Sequence, residues 1–325
     1  MTPRDSIREL QKCLEETVLG QEAMIERLLI GLLANGNLLV EGLPGLAKTR
    51  AIKMMSRFLE AGLSRIQFTP DLLPSDITGS EVYYTAEGKG EFRFQPGPVF
   101  NNLVLADEIN RAPAKVQAAL LEAMEERQVT VAGKTHPLPK LFLVMATQNP
   151  IEQEGTYPLP EAQLDRFLMH VYVDYPGESA ERGILLLVRG EEIEPASGSA
   201  HPALQRVSQD AIFTARQEIH AVHVADAVAQ YMVAVIEATR YPEKYDKELR
   251  KWIQIGASPR GTIGLDKCSR AYAWLQGRDY VRPGDVQAIA HDVLRHRILL
   301  SYDAQADGVT TNKVIDRIMQ SVAVA

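Results

Sequence analysis

A short stretch of the sequence combines the residue types that bind phosphate. It follows the apolar run 37–40 and precedes a segment with helical character, 50–55. A strand, a glycine-rich turn and a helix in this order direct backbone N–H groups and the helix N-terminus at a phosphate. In such a loop the lysine reaches the β- and γ-phosphates and the hydroxyl residue ligates Mg²⁺, the roles predicted for Lys48 and Thr49. The predicted binding residues are Gly42, Leu43, Pro44, Gly45, Leu46, Ala47, Lys48 and Thr49.

The loop departs from the usual pattern at one position, because Ala47 stands where a glycine is expected before the lysine. Alanine tolerates positive φ poorly, since it carries a Cβ atom that glycine lacks. We therefore predict a right-handed backbone conformation for Ala47. A chance glycine-proline-glycine turn is the alternative explanation of the stretch.

Two acidic residues follow another apolar run about sixty residues further along the chain. Asp107 and Glu108 end the run 102–106, which is typical of a strand covered on both faces of a parallel sheet. At the carboxyl edge of such a sheet an aspartate holds the Mg²⁺ shell, and an adjacent glutamate polarises an attacking water. The pair therefore predicts the hydrolytic half of a nucleotide site.

The next buried-type run, 141–146, ends at the polar residues 147–149, and we expect Asn149 beside the acidic pair on the same sheet edge. There its amide is suited to orient the water and to sense the γ-phosphate. The simpler alternative is an asparagine that caps the turn before Pro150.

The elements that must position these residues predict an α/β domain. Helical segments separate five strand-like runs, so we expect a doubly wound parallel sheet that extends to about residue 176. Two excursions with glycine turns, 82–95 and 128–139, predict β-hairpins. The strand-like runs are 37–40, 65–68, 102–106, 141–146 and 167–173.

The composition changes near residue 190. Residues 191–199 are polar and rich in Gly, Pro and Ser, which predicts a linker or surface loop. Beyond it only helical periodicity is found, so the sequence predicts an α/β domain over 1–190 and a helical domain over 191–325. The helical stretches are 208–219, 226–239, 249–255, 259–275, 283–300 and 312–322.

The composition bounds the location and the partners. The 325 residues carry a net charge of −7, so no global basic field attracts nucleic acid or an anionic membrane. Cys13 and Cys268 match no metal-site spacing, which favours free thiols in a reducing compartment. No apolar run approaches 18 residues, and residues 1–6 lack a signal-peptide core, so we expect a cytoplasmic protein.

Five motifs, in order and at compatible spacings, resemble those of the AAA+ ATPases. Three longer stretches, 107–113, 146–150 and 159–167, are similar to the MoxR family within the helix-2-insert group, as is the alanine before the lysine. The resemblance covers nearly the whole chain and implies an AAA+ core with a C-terminal all-α lid. The motifs are 42–49 (Walker A), 103–108 (Walker B), Asn149 (sensor 1), 164–167 (arginine finger) and 258–260 (sensor 2).

The resemblance assigns roles to four further residues. Arg166 would act in the neighbouring subunit's site, stabilising γ-phosphate charge; otherwise it forms a surface salt bridge with Asp165 or Glu161. Arg260 would be the sensor 2 arginine that couples nucleotide state to the lid. Gln21 would lie near the adenine, unless it is only a polar helix start. Arg111 is an interface arginine or a helix-end surface charge. The list of family-implied catalytic residues is Lys48, Glu108, Asn149, Arg166 and Arg260.

The family implies a Mg²⁺-dependent ATPase whose hexameric ring, promoted by nucleotide, remodels or matures a client protein. It also suggests a partner with a von Willebrand factor A domain and a role in metal insertion or complex assembly. A nucleic-acid motor is the first alternative, but the second hairpin offers only Lys134, His136 and Lys140. A nucleotide-gated scaffold without turnover is the second, and the intact acidic pair argues against it. A small-molecule kinase would leave Arg166 and Arg260 unexplained.

Overall fold

Each of the five strand-like runs forms a strand. The computed structural model describes residues 2–86, 89–151, 155–193 and 206–323. The strands are β1 Leu38–Gly42, β2 Leu63–Gln67, β3 Gly79–Ala86, β4 Lys89–Pro96, β5 Leu103–Asp107, β6 Gln128–Val131, β7 Lys134–Pro137, β8 Leu143–Gln148, β9 Met169–Val173, β10 Ile253–Ile255 and β11 Leu299–Leu300. The helices are α1 Pro3–Thr17, α2 Glu22–Leu33, α3 Lys48–Phe58, α4 Pro74–Thr78, α5 Ala114–Glu126, α6 Glu161–Leu164, α7 Glu178–Ile193, α8 Gln209–His220, α9 Asp226–Arg240, α10 Lys247–Trp252, α11 Pro259–Leu275, α12 Pro283–Leu294, α13 Tyr302–Ala306 and α14 Thr311–Ser321.

The main sheet has the strand order β2-β5-β8-β1-β9, which confirms the predicted five-stranded α/β core. Strand β5 pairs in parallel with β2 on one side and with β8 on the other. The apolar side chains of β5 and β8 are buried, as their unbroken hydrophobic runs require. The carboxyl ends of these strands therefore meet at one edge of the sheet.

Both predicted hairpins are present. Strands β3 and β4 pair antiparallel, as do β6 and β7. The β6–β7 turn consists of Ala132 and Gly133, both with positive φ, 48° and 79°, as tight hairpin turns require. The two hairpins touch through stacked rings of Phe94 and His136, whose centroids lie 3.9 Å apart.

The chain divides into two units that alternate along the sequence. The first contains residues 1–29, 39–159 and 172–212; the second contains 30–38, 160–171 and 213–325. The predicted linker, 191–199, lies mostly outside the described residues. In the described parts of the chain, no helix has the length and apolar character needed to cross a bilayer.

The second unit is mainly helical, but two predicted helices end early. Helices were predicted over 249–255 and 283–300, whereas α10 ends at Trp252 and α12 at Leu294. The residues beyond them form the antiparallel pair β10–β11, in which Ile253 lies opposite Leu300. Apolar runs this short fit helix and strand equally well, and only the distant partner strand decides between them.

His296 is buried in the second unit. Its Nε2 lies 3.1 Å from the carbonyl oxygen of Phe167, so the neutral ring donates this hydrogen bond. Burial holds the pKa of His296 well below its ordinary value, and the positive charges of Arg297, His170 and Arg295 act in the same direction. The folded protein therefore keeps this ring neutral.

We expect acid to destabilise the second unit through His296. Below pH 6.5 His296 binds a proton in the unfolded chain but not in the folded protein. The free energy of unfolding therefore falls by up to about 1.4 kcal/mol for each unit by which the pH is lowered. His296→Gln keeps an N–H donor and removes the titrating ring, so its stability declines less steeply. Urea unfolding followed by fluorescence of Trp252 and Trp274, both in this unit, measures the slope between pH 7.5 and 5.5.

The exposed His220 supplies the control, because His220→Gln should keep the wild-type slope. Equal slopes for wild type and His296→Gln would contradict the assignment.

Candidate active site

A cavity of about 560 Å³ lies in the first unit at the carboxyl edge of the sheet, within the size range of small-molecule sites. It brings together the phosphate-binding loop, the acidic pair and the asparagine that the sequence singled out. Its lining consists of Pro44, Gly45, Leu46, Ala47, Lys48, Thr49, Arg50, Lys53, Met54, Asp107, Glu108, Thr147, Gln148 and Asn149.

Two glycines of the loop are required by geometry. A Cβ atom on Gly42 would lie 2.6 Å from the carbonyl oxygen of Val173, which leaves no room for a side chain. Gly45 has a φ of 84°, a conformation that glycine adopts without strain. The loop therefore needs glycine at 42 for space and at 45 for backbone conformation.

The prediction for Ala47 is wrong. Its φ and ψ are 58° and 14°, so it is left-handed at the start of α3, where a right-handed conformation was expected. The loop must turn tightly into the helix so that successive N–H groups face the cavity, and this requirement overrides the local preference of alanine. The cost of a left-handed residue that carries a Cβ atom is roughly 1–2 kcal/mol.

Lys48 begins α3 and its side chain folds back along the loop. Its Nζ donates hydrogen bonds to the carbonyl oxygens of Gly42 and Leu43, the latter at 2.9 Å. Burial lowers the pKa of Lys48, while the carboxylates of Asp107 and Glu108 oppose that shift. The acidic pair thus favours the charged ammonium, the form that binds phosphate.

Asp107 ends β5 and is held through both of its carboxylate oxygens. Thr147 donates a hydrogen bond from its hydroxyl to Oδ1 at 2.6 Å. Arg65 on β2 donates to Oδ2 from Nε at 3.1 Å and from a terminal nitrogen at 2.7 Å. The carboxylate therefore has a fixed orientation, with Oδ2 facing the Arg65 guanidinium.

Glu108 has an unusual backbone conformation, with a φ of 57° immediately after the strand. Its Oε2 accepts a hydrogen bond from Gln67 Nε2 at 2.9 Å and lies 3.0 Å from Arg111 Nε. Gln67 in turn accepts a 2.7 Å hydrogen bond from Arg65. A chain of polar contacts thus links the two acidic residues through β2.

Asn149 lines the cavity and forms a local turn. Its Oδ1 accepts a hydrogen bond from the backbone N–H of Ile151 at 3.2 Å. This contact fixes the amide plane, so the NH₂ group of Asn149 is the part able to donate to a phosphate or a water. The turn and the predicted phosphate-sensing role are therefore compatible.

Gln21, Arg166 and Arg260 are not among the residues that line this cavity. Gln21 is buried, and its Nε2 donates to the carbonyl oxygen of Asp174 at 3.0 Å. Arg166 and Arg260 belong to the second unit. Their roles toward nucleotide remain predictions.

Asp165 connects the regions of these two arginines within the second unit. Its Oδ1 accepts from Nε of the buried Arg297 at 2.8 Å, and its Oδ2 accepts from the Ser258 hydroxyl at 2.8 Å. Arg260 lies 3.7 Å from the same Oδ2. Arg297 also donates to backbone carbonyls of the segment, including that of Phe167 at 2.6 Å. The segment that carries Arg166 is therefore anchored to the start of α11.

Sequence reasoning missed three side chains that hold the acidic pair: Arg65, Gln67 and Thr147. Arg65 and Gln67 lie two positions apart on β2, so their side chains project from the same face of the strand. Gln67 is in register with Asp107 on β5. Only the order of strands reveals this proximity. Thr147 had a sequence signal, because it lies two residues before Asn149 on a strand expected to end at the same edge.

The donor set fits Mg²⁺. The Thr49 hydroxyl and the Asp107 carboxylate line the same cavity, and both are the oxygen donors that Mg²⁺ accepts.

The sequence also matches known protein families and relatives. A profile described as the ATPase family associated with various cellular activities (AAA) matches residues 37–169, and an AAA lid domain profile matches 249–318. The chain is 47% identical over 308 residues to a Mycobacterium tuberculosis protein named Chaperone MoxR1, covering 94% of this chain and 79% of that one. It is 32% identical to Protein MoxR of Methylorubrum extorquens, covering 91% and 88%.

A solved structure also matches nearly the whole chain. The crystal structure of a Cytophaga hutchinsonii protein provisionally named an ATPase superimposes with a TM-score of 0.89 at 43% identity, covering 99% of this chain and 96% of that one. These matches confirm the predicted α/β core with a C-terminal helical lid.

We expect Ala47→Gly to stabilise the first unit. Glycine relieves about 1–2 kcal/mol of left-handed strain and loses about 0.4–1 kcal/mol through the greater freedom of the unfolded chain. The net gain in the free energy of unfolding is about 0.5–1 kcal/mol, measured by urea unfolding with circular dichroism. Ala51→Gly within the same helix is the matched control and should cost about 1 kcal/mol. An equal loss of stability in both variants would contradict the presence of backbone strain at Ala47.

Proposed function

Because the chain belongs to the MoxR family of AAA+ ATPases, we propose that it hydrolyses Mg²⁺-bound ATP in a ring and uses the energy to remodel or mature partner proteins. The observation that supports hydrolysis is the convergence in one cavity of the loop lysine, the acidic pair and Asn149. A binding-only scaffold has no need of a carboxylate placed beside the metal-ligating aspartate.

In the proposed mechanism each charged group of the cavity has a separate role. Lys48 binds the β- and γ-phosphates, and backbone N–H groups of residues 45–49 surround them. Thr49 and Asp107 are the residues that would hold Mg²⁺, which when bound neutralises charge on the phosphate oxygens. Glu108 accepts a proton from the attacking water and so raises its nucleophilicity.

Asn149 and Gln67 complete the surroundings of that water. The Asn149 NH₂ group is placed to donate to the water or to the γ-phosphate. Gln67 Nε2 holds one oxygen of Glu108, so the other oxygen is the one directed at the water. Arg111 Nε lies 3.0 Å from Oε2 of Glu108 and balances part of the negative charge of that carboxylate.

The proposed ring rests on Arg166. By resemblance to the family, this arginine stabilises γ-phosphate charge in the neighbouring subunit, which requires assembly into a closed ring. The same resemblance implies a hexamer. Arg260 couples the nucleotide state to the lid. The anchoring of both regions by Asp165 supports a common role, because a shift of α11 would carry the Arg166 segment with it.

The proposed cellular role is that of a chaperone. The Mycobacterium tuberculosis relative is named a chaperone, and the family resemblance suggests a partner with a von Willebrand factor A domain. Metal insertion or assembly of a protein complex is the outcome that we propose for the client.

We expect Glu108→Gln to bind ATP but to lose turnover. The amide keeps the size of the side chain and loses the basic oxygen, so kcat should fall by about 10²–10⁴-fold. Steady-state phosphate release and binding of a fluorescent ATP analogue measure the two properties separately. Glu122→Gln on the exposed face of α5 is the control and should behave as wild type. Normal turnover in Glu108→Gln would refute the proposed base.

Arg166→Ala should abolish cooperative hydrolysis while ATP still binds. A finger that acts between subunits contributes about 10³-fold or more to kcat, and only in the assembled ring. ATP turnover is measured against protein concentration, with mass determined in parallel by light scattering. Arg8→Ala on the exposed face of α1 is the control. Turnover by a monomer that is indifferent to Arg166 would remove the ring, and stimulation by DNA would favour the nucleic-acid motor.

A further inference from the structure

The hydroxyl of Thr147 lies between the two acidic residues of the site. Thr147 belongs to β8, beside β5, and only 2% of its surface is exposed. Its Oγ1 donates to Asp107 Oδ1 at 2.6 Å and accepts from the backbone N–H of Glu108 at 2.9 Å. One buried atom therefore contacts two consecutive residues that the proposed mechanism uses differently.

The donor role of the Thr147 hydroxyl in one hydrogen bond determines its acceptor role in the other. A hydroxyl has a single proton, and here that proton goes to the carboxylate, so a lone pair must meet the Glu108 N–H. Burial removes water as a competing partner and strengthens both contacts. The hydroxyl direction is consequently fixed, and with it the rotation of the Asp107 carboxylate.

The contact with Glu108 replaces a bond that the sheet no longer supplies. The register of β5 with β8 ends at Ala106 opposite Ala146, so Glu108 lies beyond the backbone ladder. Its positive φ would be unfavourable without a partner for the N–H group. The Thr147 side chain provides that partner and holds the turn that projects the glutamate.

Other contacts constrain the pair less. Arg65, the partner of Asp107 Oδ2, has a half-exposed side chain, and Gln67, the partner of Glu108, is exposed. Long exposed side chains change rotamer readily, whereas Thr147 is β-branched, buried and part of a central strand. The rigid constraint on the acidic pair is therefore Thr147.

We propose that Thr147 is a positioning residue that orients both the metal-ligating carboxylate of Asp107 and the base Glu108. This inference rests on the proposed ATPase function. It holds Oδ1 of Asp107, while Arg65 holds Oδ2, so that the rotation of the carboxylate is fixed. Through the Glu108 N–H it fixes where the glutamate carboxylate lies relative to that aspartate.

The test compares Thr147→Val with Thr147→Ser. Valine keeps the shape and removes the hydroxyl, while serine keeps the hydroxyl. For Thr147→Val we expect kcat to fall at least about tenfold and the Mg²⁺ concentration for half-maximal binding of a fluorescent ATP analogue to rise about tenfold. Binding of that analogue in EDTA should stay within twofold, because Lys48 and the loop are untouched. Thr147→Ser should recover both properties to within about threefold.

Thr239→Val supplies the matched structural control. Thr239 is fully buried in the second unit, and its hydroxyl likewise donates to a carbonyl, that of Ile236, and accepts from a backbone N–H, that of Ala257. Its loss should lower the unfolding midpoint and leave the Mg²⁺ requirement unchanged. If Thr147→Val does not fold, Thr147→Ala against Thr147→Ser makes the same comparison.

Two outcomes would overturn the proposal. One is a Thr147→Val protein with the Mg²⁺ requirement and kcat of wild type, and the other is a Thr147→Ser protein as impaired as the valine variant. Absence of ATP turnover in wild type would instead refute the proposed function. In that case the Mg²⁺ requirement for analogue binding still decides whether Thr147 orients Asp107.

Discussion

The parallel pairing of β5 with β2 and β8 is the constraint on which the site depends. Because the three strands run in the same direction, their last residues end at one edge, and polar side chains that are distant in sequence become neighbours. A shift by one residue would turn the side chain of Asp107 to the opposite face of the sheet, away from its partners Arg65 and Thr147. The chemistry of Asp107 thus depends on the register of β5 with its two neighbouring strands.

At that edge the charges are arranged as alternating partners. The two carboxylates are matched by the cations of Lys48, Arg65 and Arg111, and their hydrogen bonds run from Asp107 through Arg65 and Gln67 to Glu108. Such a network lowers the cost of placing two negative charges side by side.

The sequence predicted most of the fold and the centre of the site, because those features depend on local rules. Unbroken apolar runs identify buried strands, and the polar residues that follow each run are placed at the sheet edge; Asp107, Glu108 and Asn149 follow from that rule. Arg65 and Gln67 could not be found in this way, because their proximity depends on strand order. The left-handed Ala47 was mispredicted for a related reason, since the tertiary demand of the loop outweighs the preference of the residue.

The second unit shows how a single carboxylate can link two separate arginines. Arg297 is almost fully buried and bonds the backbone around Phe167, so an ion partner is needed to offset the loss of its hydration. Asp165 supplies that partner and in the same position accepts from Ser258, the N-cap of α11. The helix that presents Arg260 and the segment that carries Arg166 therefore share one part-buried electrostatic anchor. A movement of either one must break these contacts or displace the other, which makes them a single mechanical element.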